Sequence, residues 1–175
     1  MSFVAHPSLE LLEDLRRVHH SKCFACASDV FRLEFTVIPD GGLEAIRAFG
    51  DGCCSYDGLV HGGLLSLCID EAMTCNLMAH GVVGVTGRLN LRYLHPVRPD
   101  VPTVIRTRLC SANPPLFEME ASILQHEAVL VRANAKFMSR SGGERRPASG
   151  SSGLTAPLSC AAVETALTSR TNPFS

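Results

Sequence analysis

Two adjacent glycines, Gly62 and Gly63, stand directly before a strongly apolar segment in the stretch YDGLVHGGLLSLCIDEAM, residues 56–73. A helix that begins at this point exposes unpaired backbone N–H groups and the positive end of its dipole. Because glycine has no side chain, a substrate oxygen can approach those amides closely. Donors of this kind stabilise an oxyanion that develops in a transition state. The glycine pair therefore predicts an oxyanion-binding helix end.

Two acids, Asp70 and Glu71, interrupt the same apolar segment. Adjacent residues of a helix point about 100° apart, so at most one of the two faces a given site. Asp70 directly follows the apolar residues 67–69, which favours its partial burial. A partly buried carboxylate is suited to general-base catalysis. We therefore predict that Asp70 is the reacting carboxylate.

The distance between these two features bears on assembly. Eight residues separate Gly62 from Asp70, which corresponds to about 12 Å along a helix. One straight helix cannot present both groups to a single small reacting centre. Two copies of the helix that run antiparallel across a two-fold axis can do so. The spacing predicts a homodimer with two shared sites, and a homotetramer built as a dimer of such dimers is left open.

Other catalytic arrangements find less support in the sequence. His61 is a candidate base, but a single histidine at a helix entrance more often caps or orients. Ser66 lacks the G-x-S-x-G context of a hydrolase nucleophile. The glycines at positions 81, 84 and 87 do not open a helix after a strand, so a dinucleotide site is not expected.

Cysteine spacing raises the question of a metal. Cys23 and Cys26 form a C-x-x-C pair close to His19 and His20. A structural zinc site normally needs a second ligand pair, and the adjacent cysteines at 53 and 54 are poorly placed to provide one. With 46% apolar residues the chain can build an ordinary core, which favours reduced, mostly buried thiols. We expect no metal and no other cofactor.

Hydrophobic periodicity predicts the elements that must position these residues. Residues 7–20 are predicted as a helix capped by Ser8, with Leu11, Leu15 and Val18 on one face. Alternation predicts strands over 31–37 and 43–49, a loop over 50–60 and a long helix over 61–79. Gly81 and Gly84 are expected to end that helix.

Further alternating segments follow without a second long helix, and they predict strands over 85–94, 103–111, 116–124 and 128–138. Strands joined by short turns on one side of a single helix make an α+β layer, with an antiparallel sheet packed on that helix. The Ser-, Gly- and Pro-rich residues 139–175 are predicted to be disordered.

Charge and terminal composition limit the partners. Sixteen basic and seventeen acidic residues leave a net charge of -1, which does not favour nucleic acid. No apolar run approaches the roughly 20 residues of a membrane span. The first residues, MSFVAHPSLELLEDL, lack the basic-then-apolar order of a signal peptide. We expect a cytoplasmic protein without a membrane partner.

The combined pattern resembles the hotdog-fold acyl-CoA thioesterases, specifically their PaaI-like, phenylacetate-pathway branch. The matching residues are Gly58, His61, Gly62, Gly63, Asp70 and Glu71. The segment GVTGRLNLRYLHPVRP, residues 84–99, is also similar, and the CFAC segment, 23–26, is similar to a C-F-x-C-G pattern of one subgroup. The resemblance implies an N-terminal helical extension over 1–22, a hotdog domain over 23–138 with its sheet wrapped around one long central helix, and the tail over 139–175.

Carried over residue by residue, the resemblance also implies roles. The N–H of Gly62, helped by His61 or Gly63, holds the thioester carbonyl oxygen. Asp70 of the partner subunit acts as general base on water or as nucleophile. Thr86 matches a small hydroxyl residue that positions the water.

Substrate contacts are expected from five further residues. Ser55 stands where some relatives carry an amide side chain, and Gly58 and Glu71 belong to the matching motif. Arg88 and Arg92 are expected to meet phosphate groups of CoA, because arginine binds phosphate well, and Arg98, Arg106 and Lys136 are further candidates near the strand ends.

The resemblance thus implies hydrolysis of an acyl-CoA thioester to the free acid and CoA. Two alternatives stay open at this stage. One is a hotdog dehydratase or hydratase that acts on acyl thioesters with a histidine and an aspartate. The other is a non-catalytic acyl-CoA-binding or regulatory module, because a fold does not by itself determine activity.

Overall fold

The computed structural model describes residues 3–28 and 31–139. The described elements follow in the order α1 (Leu9–His19), α2 (Phe24–Ala27), β1 (Thr36–Val37), β2 (Leu43–Arg47), β3 (Cys54–Tyr56), β4 (Leu59–Val60), α3 (Gly62–Ala79), β5 (Gly84–Tyr93), β6 (Thr103–Asn113), β7 (Leu116–Gln125) and β8 (Ala128–Ser139). A short 3₁₀ turn, Asp51–Cys53, precedes β3. Apart from Ser139, the predicted tail lies outside the described residues.

The main sheet is antiparallel and has the strand order β1–β2–β6–β7–β8–β5. Its four longest strands, β5 to β8, are those that periodicity predicts over 85–138. On β8 the residues Val131, Ala133 and Phe137 are buried, while Asn134 and Lys136 are exposed. That alternation places one face of the sheet in the core and the other in solvent.

Helix α3 packs on the inner face of this sheet. Every residue from 71 to 79 is buried, so the second half of the helix is enclosed on all sides. Most of these residues are apolar, and the polar ones, Glu71, Thr74 and Asn76, are buried with them. The largest core side chains come from α3 and from the facing strands, and they include Ile69, Met73, Leu77, Ile105, Met119 and Phe137. The predicted α+β architecture, an antiparallel sheet wrapped around one long helix, is confirmed.

Helix α1 packs against α3, and its predicted Ser8 cap is present, with the Leu11 N–H donating to Ser8 Oγ at 3.3 Å. The predicted apolar face was wrong in part, because Val18 is 67% exposed. Arg16 is buried instead, and its guanidinium donates to the Leu33 carbonyl at 3.2 Å. A long side chain with a bonded charged end can occupy an inner position that periodicity assigns to an apolar residue.

The predicted strand over 31–37 was also wrong for most of its length, since only Thr36–Val37 pairs with β2. Arginine side chains bind the backbone upstream, where Arg47 donates to the Arg32 carbonyl at 3.0 Å and Arg16 to the Leu33 carbonyl. Those carbonyls are not engaged in a strand ladder. The alternation of burial survives without the strand, because Leu33 and Phe35 still reach the core.

The predicted loop over 50–60 contains more order than periodicity indicates. Strands β3 and β4 pair as a two-stranded hairpin, and Gly58 turns between them with a φ of 66°. Glycine adopts that left-handed conformation without steric cost. The hairpin leads directly into α3 at His61.

None of the helices in the described part of the chain has the length and apolarity needed to cross a membrane.

Candidate active site

The amino end of α3 is capped by His61. The Gly63 N–H donates to His61 Nδ1 at 2.9 Å, and the N–H groups of Leu64 and Leu65 donate to the His61 carbonyl. The Gly63 amide is therefore already engaged. Gly62, as the first helical residue, has no acceptor within the helix, and the structure records none elsewhere among the described residues. Of the two predicted glycine donors, Gly62 is the one that is free.

An open cleft of about 740 Å³ lies at this helix end. It is lined by Cys54, Ser55, Tyr56, His61, Gly62, Gly63 and Tyr93. The β3–β4 hairpin brings Ser55 to the cleft, and its contact with substrate stays a prediction. Gly58 lines a second cleft of about 520 Å³ that shares Tyr56 with the first. The structure thus gathers Ser55, His61, Gly62 and Gly63 at one place, with Gly58 beside them.

Tyr93 and Ser66 join this site, and the sequence reasoning gave neither of them a role there. The Tyr93 hydroxyl donates to the Gly62 carbonyl at 2.9 Å, Ser66 Oγ donates to the same carbonyl at 3.0 Å, and the two hydroxyl oxygens lie 2.6 Å apart. A Cβ added at Gly62 would lie 3.6 Å from the Tyr93 ring, so the ring stands beside this glycine. This network holds the first turn of α3 in position.

A register shift in β5 explains why Tyr93 faces the helix. Pairing with β8 is irregular between Thr86 and Arg88, so the residue that faces inward changes from even to odd numbers at Gly87. Thr86 lies opposite the buried Phe137, and Tyr93 lies opposite the buried Val131. Residues paired directly across an antiparallel sheet share a face. A single alternating pattern along the strand does not predict both inward positions.

Asp70 lies midway along α3 and is partly exposed. The Thr86 hydroxyl donates to Asp70 Oδ1 at 2.7 Å. The structure therefore brings together the predicted carboxylate and the predicted hydroxyl residue, which are sixteen positions apart. A hydroxyl that binds one carboxylate oxygen leaves the other available for water or substrate.

Asp70 does not reach the cleft at Gly62 within one chain. Both residues belong to the same continuous helix, so about 12 Å of helix separates them. Asp70 is absent from the residues that line the cleft. The described chain consequently presents two separate candidate positions, termed half-sites, one at Gly62 and one at Asp70.

Glu71, Arg88 and Arg92 lie apart from both half-sites. Glu71 is 6% exposed and contacts cysteine thiols instead of the cleft. Arg88 and Arg92 pair with Lys136 and Arg132 of β8, on the sheet face that points away from α3. By contrast, Arg98 lines the second cleft beside Gly58.

A second cluster surrounds Glu71. Cys26 Sγ donates to Glu71 Oε1 at 2.7 Å, Cys23 Sγ to Oε2 at 3.5 Å, and Cys75 Sγ to Oε1 at 3.2 Å. His20 Nδ1 lies 3.8 Å from Cys26 Sγ and 3.9 Å from Glu71 Oε1. The interaction between the Cys26 and Cys75 thiols lowers the pKa of Cys26 and raises the pKa of Cys75. Sequence spacing revealed the C-x-x-C pair but not the carboxylate that joins it.

The fold is also found in solved structures. The PaaI protein of E. coli, from its phenylacetic acid degradation operon, has a TM-score of 0.66 at 13% identity, covering 77% of this chain and 96% of that one. A Streptococcus mutans UA159 protein bound to acetyl-CoA has a TM-score of 0.58 at 15% identity, covering 62% and 88%. A protein of the thioesterase superfamily, RHA08564, has a TM-score of 0.58 at 21% identity. The similarity covers 61% of this chain and 55% of that one.

These similarities define the class: the chain has the hotdog fold of the thioesterases. Residues 57–132, which include Gly62 and Asp70, match the family model of the thioesterase superfamily. The predicted resemblance to hotdog-fold thioesterases is thereby confirmed. No protein of curated function matches the sequence.

Proposed function

We propose that the protein hydrolyses an acyl-CoA thioester to the free acid and CoA. The observation that carries this proposal is the Asp70 carboxylate, partly exposed on the central helix and hydrogen-bonded by Thr86 at 2.7 Å. The match of residues 57–132 to the thioesterase superfamily supports the reaction class. Water, an aspartate and backbone amide donors suffice for this hydrolysis, so the proposed reaction uses no metal or redox cofactor.

The free N–H of Gly62 is the proposed oxyanion donor. It points from the helix end where the dipole is positive, and the adjoining cleft has room for a thioester carbonyl. The hydrogen bonds of Tyr93 and Ser66 to the Gly62 carbonyl fix the orientation of this residue. His61 assists by its cap, which orients the first turn.

Asp70 is proposed as general base on water or as nucleophile, with Thr86 as the residue that orients it. An attacking water needs both a proton acceptor and a defined position. The dehydratase alternative receives less support, because the Nδ1 atom of His61 is occupied by the Gly63 amide.

Two subunits are proposed to complete each site. Strand β5 is an edge of the described sheet, bonded only to β8, and it is ten residues long. Its residues Val85 and Tyr93 are 53% and 50% exposed. A long unprotected edge favours pairing with another strand. Pairing of two β5 strands about a two-fold axis would extend the sheet and bring Asp70 of one subunit toward Gly62 of the other, in a homodimer or a dimer of such dimers.

For CoA recognition we propose Arg98 in place of Arg88 and Arg92. Arg98 borders the second cleft, next to the proposed reaction site, and its backbone is held by Gln125 through bonds of 3.1 and 2.8 Å. A guanidinium is well suited to bind phosphate oxygens. The S. mutans protein of the same fold is bound to acetyl-CoA, which supports this class of ligand.

The direct test is release of free thiol from a panel of acyl-CoAs with aromatic, short and medium acyl groups. We expect turnover by the wild-type protein and a loss of roughly 10²–10⁴-fold in Asp70→Asn, which keeps the side-chain shape but removes the base. Asp14→Asn, the same change on the exposed face of α1, is the matched control and should remain active. Near-native turnover by folded Asp70→Asn, or no turnover of any acyl-CoA by the wild type, would refute the proposal.

The shared site is tested separately by mixing two inactive variants, Asp70→Asn and Gly62→Pro. Proline is compatible with the first position of a helix but has no N–H. In a mixed dimer, one site receives both defects and the other has neither. About half of the randomly mixed dimers are heterodimers, so recovery should reach about a quarter of wild-type activity. Gly62→Ala retains the amide, and its Cβ would make only an ordinary contact with Tyr93 at 3.6 Å, so it controls for shape. Mixed dimers without recovery would show that each subunit acts alone.

A further inference from the structure

We infer that His20, Cys23, Cys26 and Glu71 form a binding site for one zinc ion that holds the N-terminal segment to α3. The four residues come from the end of α1, the segment around α2, and the middle of α3. This site is distinct from the two half-sites at Gly62 and Asp70, and its inference does not depend on the proposed hydrolysis.

The geometry is close to that of a four-coordinate site. One ligand atom from each of the four residues lies within 4.8 Å of all the others. Tetrahedral zinc with its usual bond lengths separates neighbouring ligand atoms by about 3.3 to 3.8 Å. The Cys26–His20 distance of 3.8 Å and the Cys23–Glu71 distance of 3.5 Å already match this range. Cys26 Sγ and Glu71 Oε1, at 2.7 Å, must move apart for both to bind the ion.

Local structure explains how the ligands converge. The Cys23 N–H donates to the His20 carbonyl and the Ala27 N–H to the Cys23 carbonyl, so that a tight turn and the single turn of α2 hold the C-x-x-C pair. Glu71 presents its carboxylate from the buried side of α3. The sequence offers no second cysteine pair to complete a zinc site. In the structure, His20 and Glu71 take the place of that pair and supply the third and fourth ligands.

The donor set selects the metal. Two thiolates, an imidazole and a carboxylate suit zinc, whereas magnesium and calcium prefer oxygen ligands alone. Four protein ligands leave no open position, which is typical of a structural site. On binding, the two cysteine thiols lose their protons to solvent and the sulfur lone pairs form the metal bonds.

The charges around Glu71 form a second, independent argument. Glu71 is a buried carboxylate, yet in the described residues its one ion-pair partner is His20, at 3.9 Å, and no lysine or arginine pairs with it. Burial of a carboxylate is costly unless a cation accompanies it. A divalent ion would supply that cation. The Arg16 guanidinium donates to Cys75 at 3.2 Å, and Cys75 donates to Glu71, so one further positive charge offsets the surplus of negative ligands.

The test measures zinc in full-length protein purified without chelator or affinity metal. We expect about one zinc per chain in the wild type and loss of that equivalent in Cys23→Ser, Cys26→Ser and His20→Ala. Two matched controls are available: Cys110→Ser, on β6, and His19→Ala, the exposed neighbour of His20. Both controls should keep one zinc. A chelator should lower the unfolding temperature of the wild type and leave that of Cys23→Ser unchanged, because a ligand that binds only the folded state stabilises it.

Cobalt substitution of the wild type gives a readout that does not require any variant to fold. We expect intense thiolate-to-cobalt charge-transfer absorption and the visible bands of tetrahedral cobalt. Zinc retained by folded Cys23→Ser and Cys26→Ser would overturn the inference. So would wild-type protein that takes up neither zinc nor cobalt after reduction, or cobalt bound without the thiolate absorption.

Discussion

Asp70 and Glu71 are neighbours on one helix, but their carboxylates meet different surroundings. Asp70 is partly exposed and accepts a hydrogen bond from Thr86 on the edge strand β5. Glu71 is buried and contacts thiols of the N-terminal segment and of α3 itself. Because adjacent helical residues point about 100° apart, one dipeptide can serve two regions at once. The first region is proposed to carry the chemistry, and the second to hold the domain to its N-terminal segment.

The largest expected effect separates the two carboxylates. Asp70→Asn should lose roughly 10²–10⁴-fold in turnover and keep its zinc, since it removes only the proposed base. Glu71→Gln should lose zinc and unfold at lower temperature, but keep turnover within a few-fold when assayed well below that temperature. Thiol release and metal content, measured on both variants, check this. If Glu71→Gln abolished turnover while folded and zinc-bound, the two regions would not be separate.

A smaller effect is expected from Thr86→Val, which keeps the branched shape and removes the hydroxyl. This substitution removes the 2.7 Å hydrogen bond to Asp70. If the bond contributes about 1.4 kcal/mol to the transition state, its loss decreases kcat by about 10-fold. Thr36→Val on β1 makes the same change at an exposed position and should leave kcat unaltered. Equal kcat in Thr86→Val and wild type would remove Thr86 from the proposed site.

Arg98→Ala tests which arginine meets the CoA phosphates. We expect KM to rise by about 2- to 5-fold, which is typical of the loss of an exposed charge pair. At high salt the difference in KM between the variant and the wild type should become smaller. Arg92→Ala removes the same charge from the outer sheet face and should not change KM. The opposite result, with KM raised only by Arg92→Ala, would move CoA recognition to the outer face.

The smallest effect is expected in α1, the helix that packs against α3. Ser8→Ala removes the cap of α1, in which Ser8 Oγ accepts from the Leu11 N–H, and should lower the free energy of unfolding by about 1 kcal/mol. Denaturant unfolding measures the change, and Ser21→Ala, an exposed serine in the turn after α1, is the control. Equal losses in both variants would show that the cap contributes nothing specific.

Local features of the sequence determined most of the elements. The long helix that starts at Gly62, the Ser8 cap of the first helix, and the strands β5 to β8 all follow from periodicity and from residues that begin or end elements. Such signals are readable because helix and strand repeats of 3.6 and 2 residues leave their mark on neighbouring positions. Gly62 and Asp70 could be selected from their positions along one helix, because that spacing is itself local, whereas Thr86 was selected through the resemblance to the hotdog thioesterases.

Tertiary structure decided what depends on contacts between distant residues. Glu71 meets Cys26 across 45 positions, and the strand register at Gly87 turns Tyr93 toward α3 and Arg88 away from it. Arginine contacts with the backbone shortened β1. None of these contacts can be read from the periodicity of the sequence. Hydrogen bonds and strand register between remote segments depend on the packing of the whole core. The sequence identified chemically capable residues, and the fold determined which of them meet.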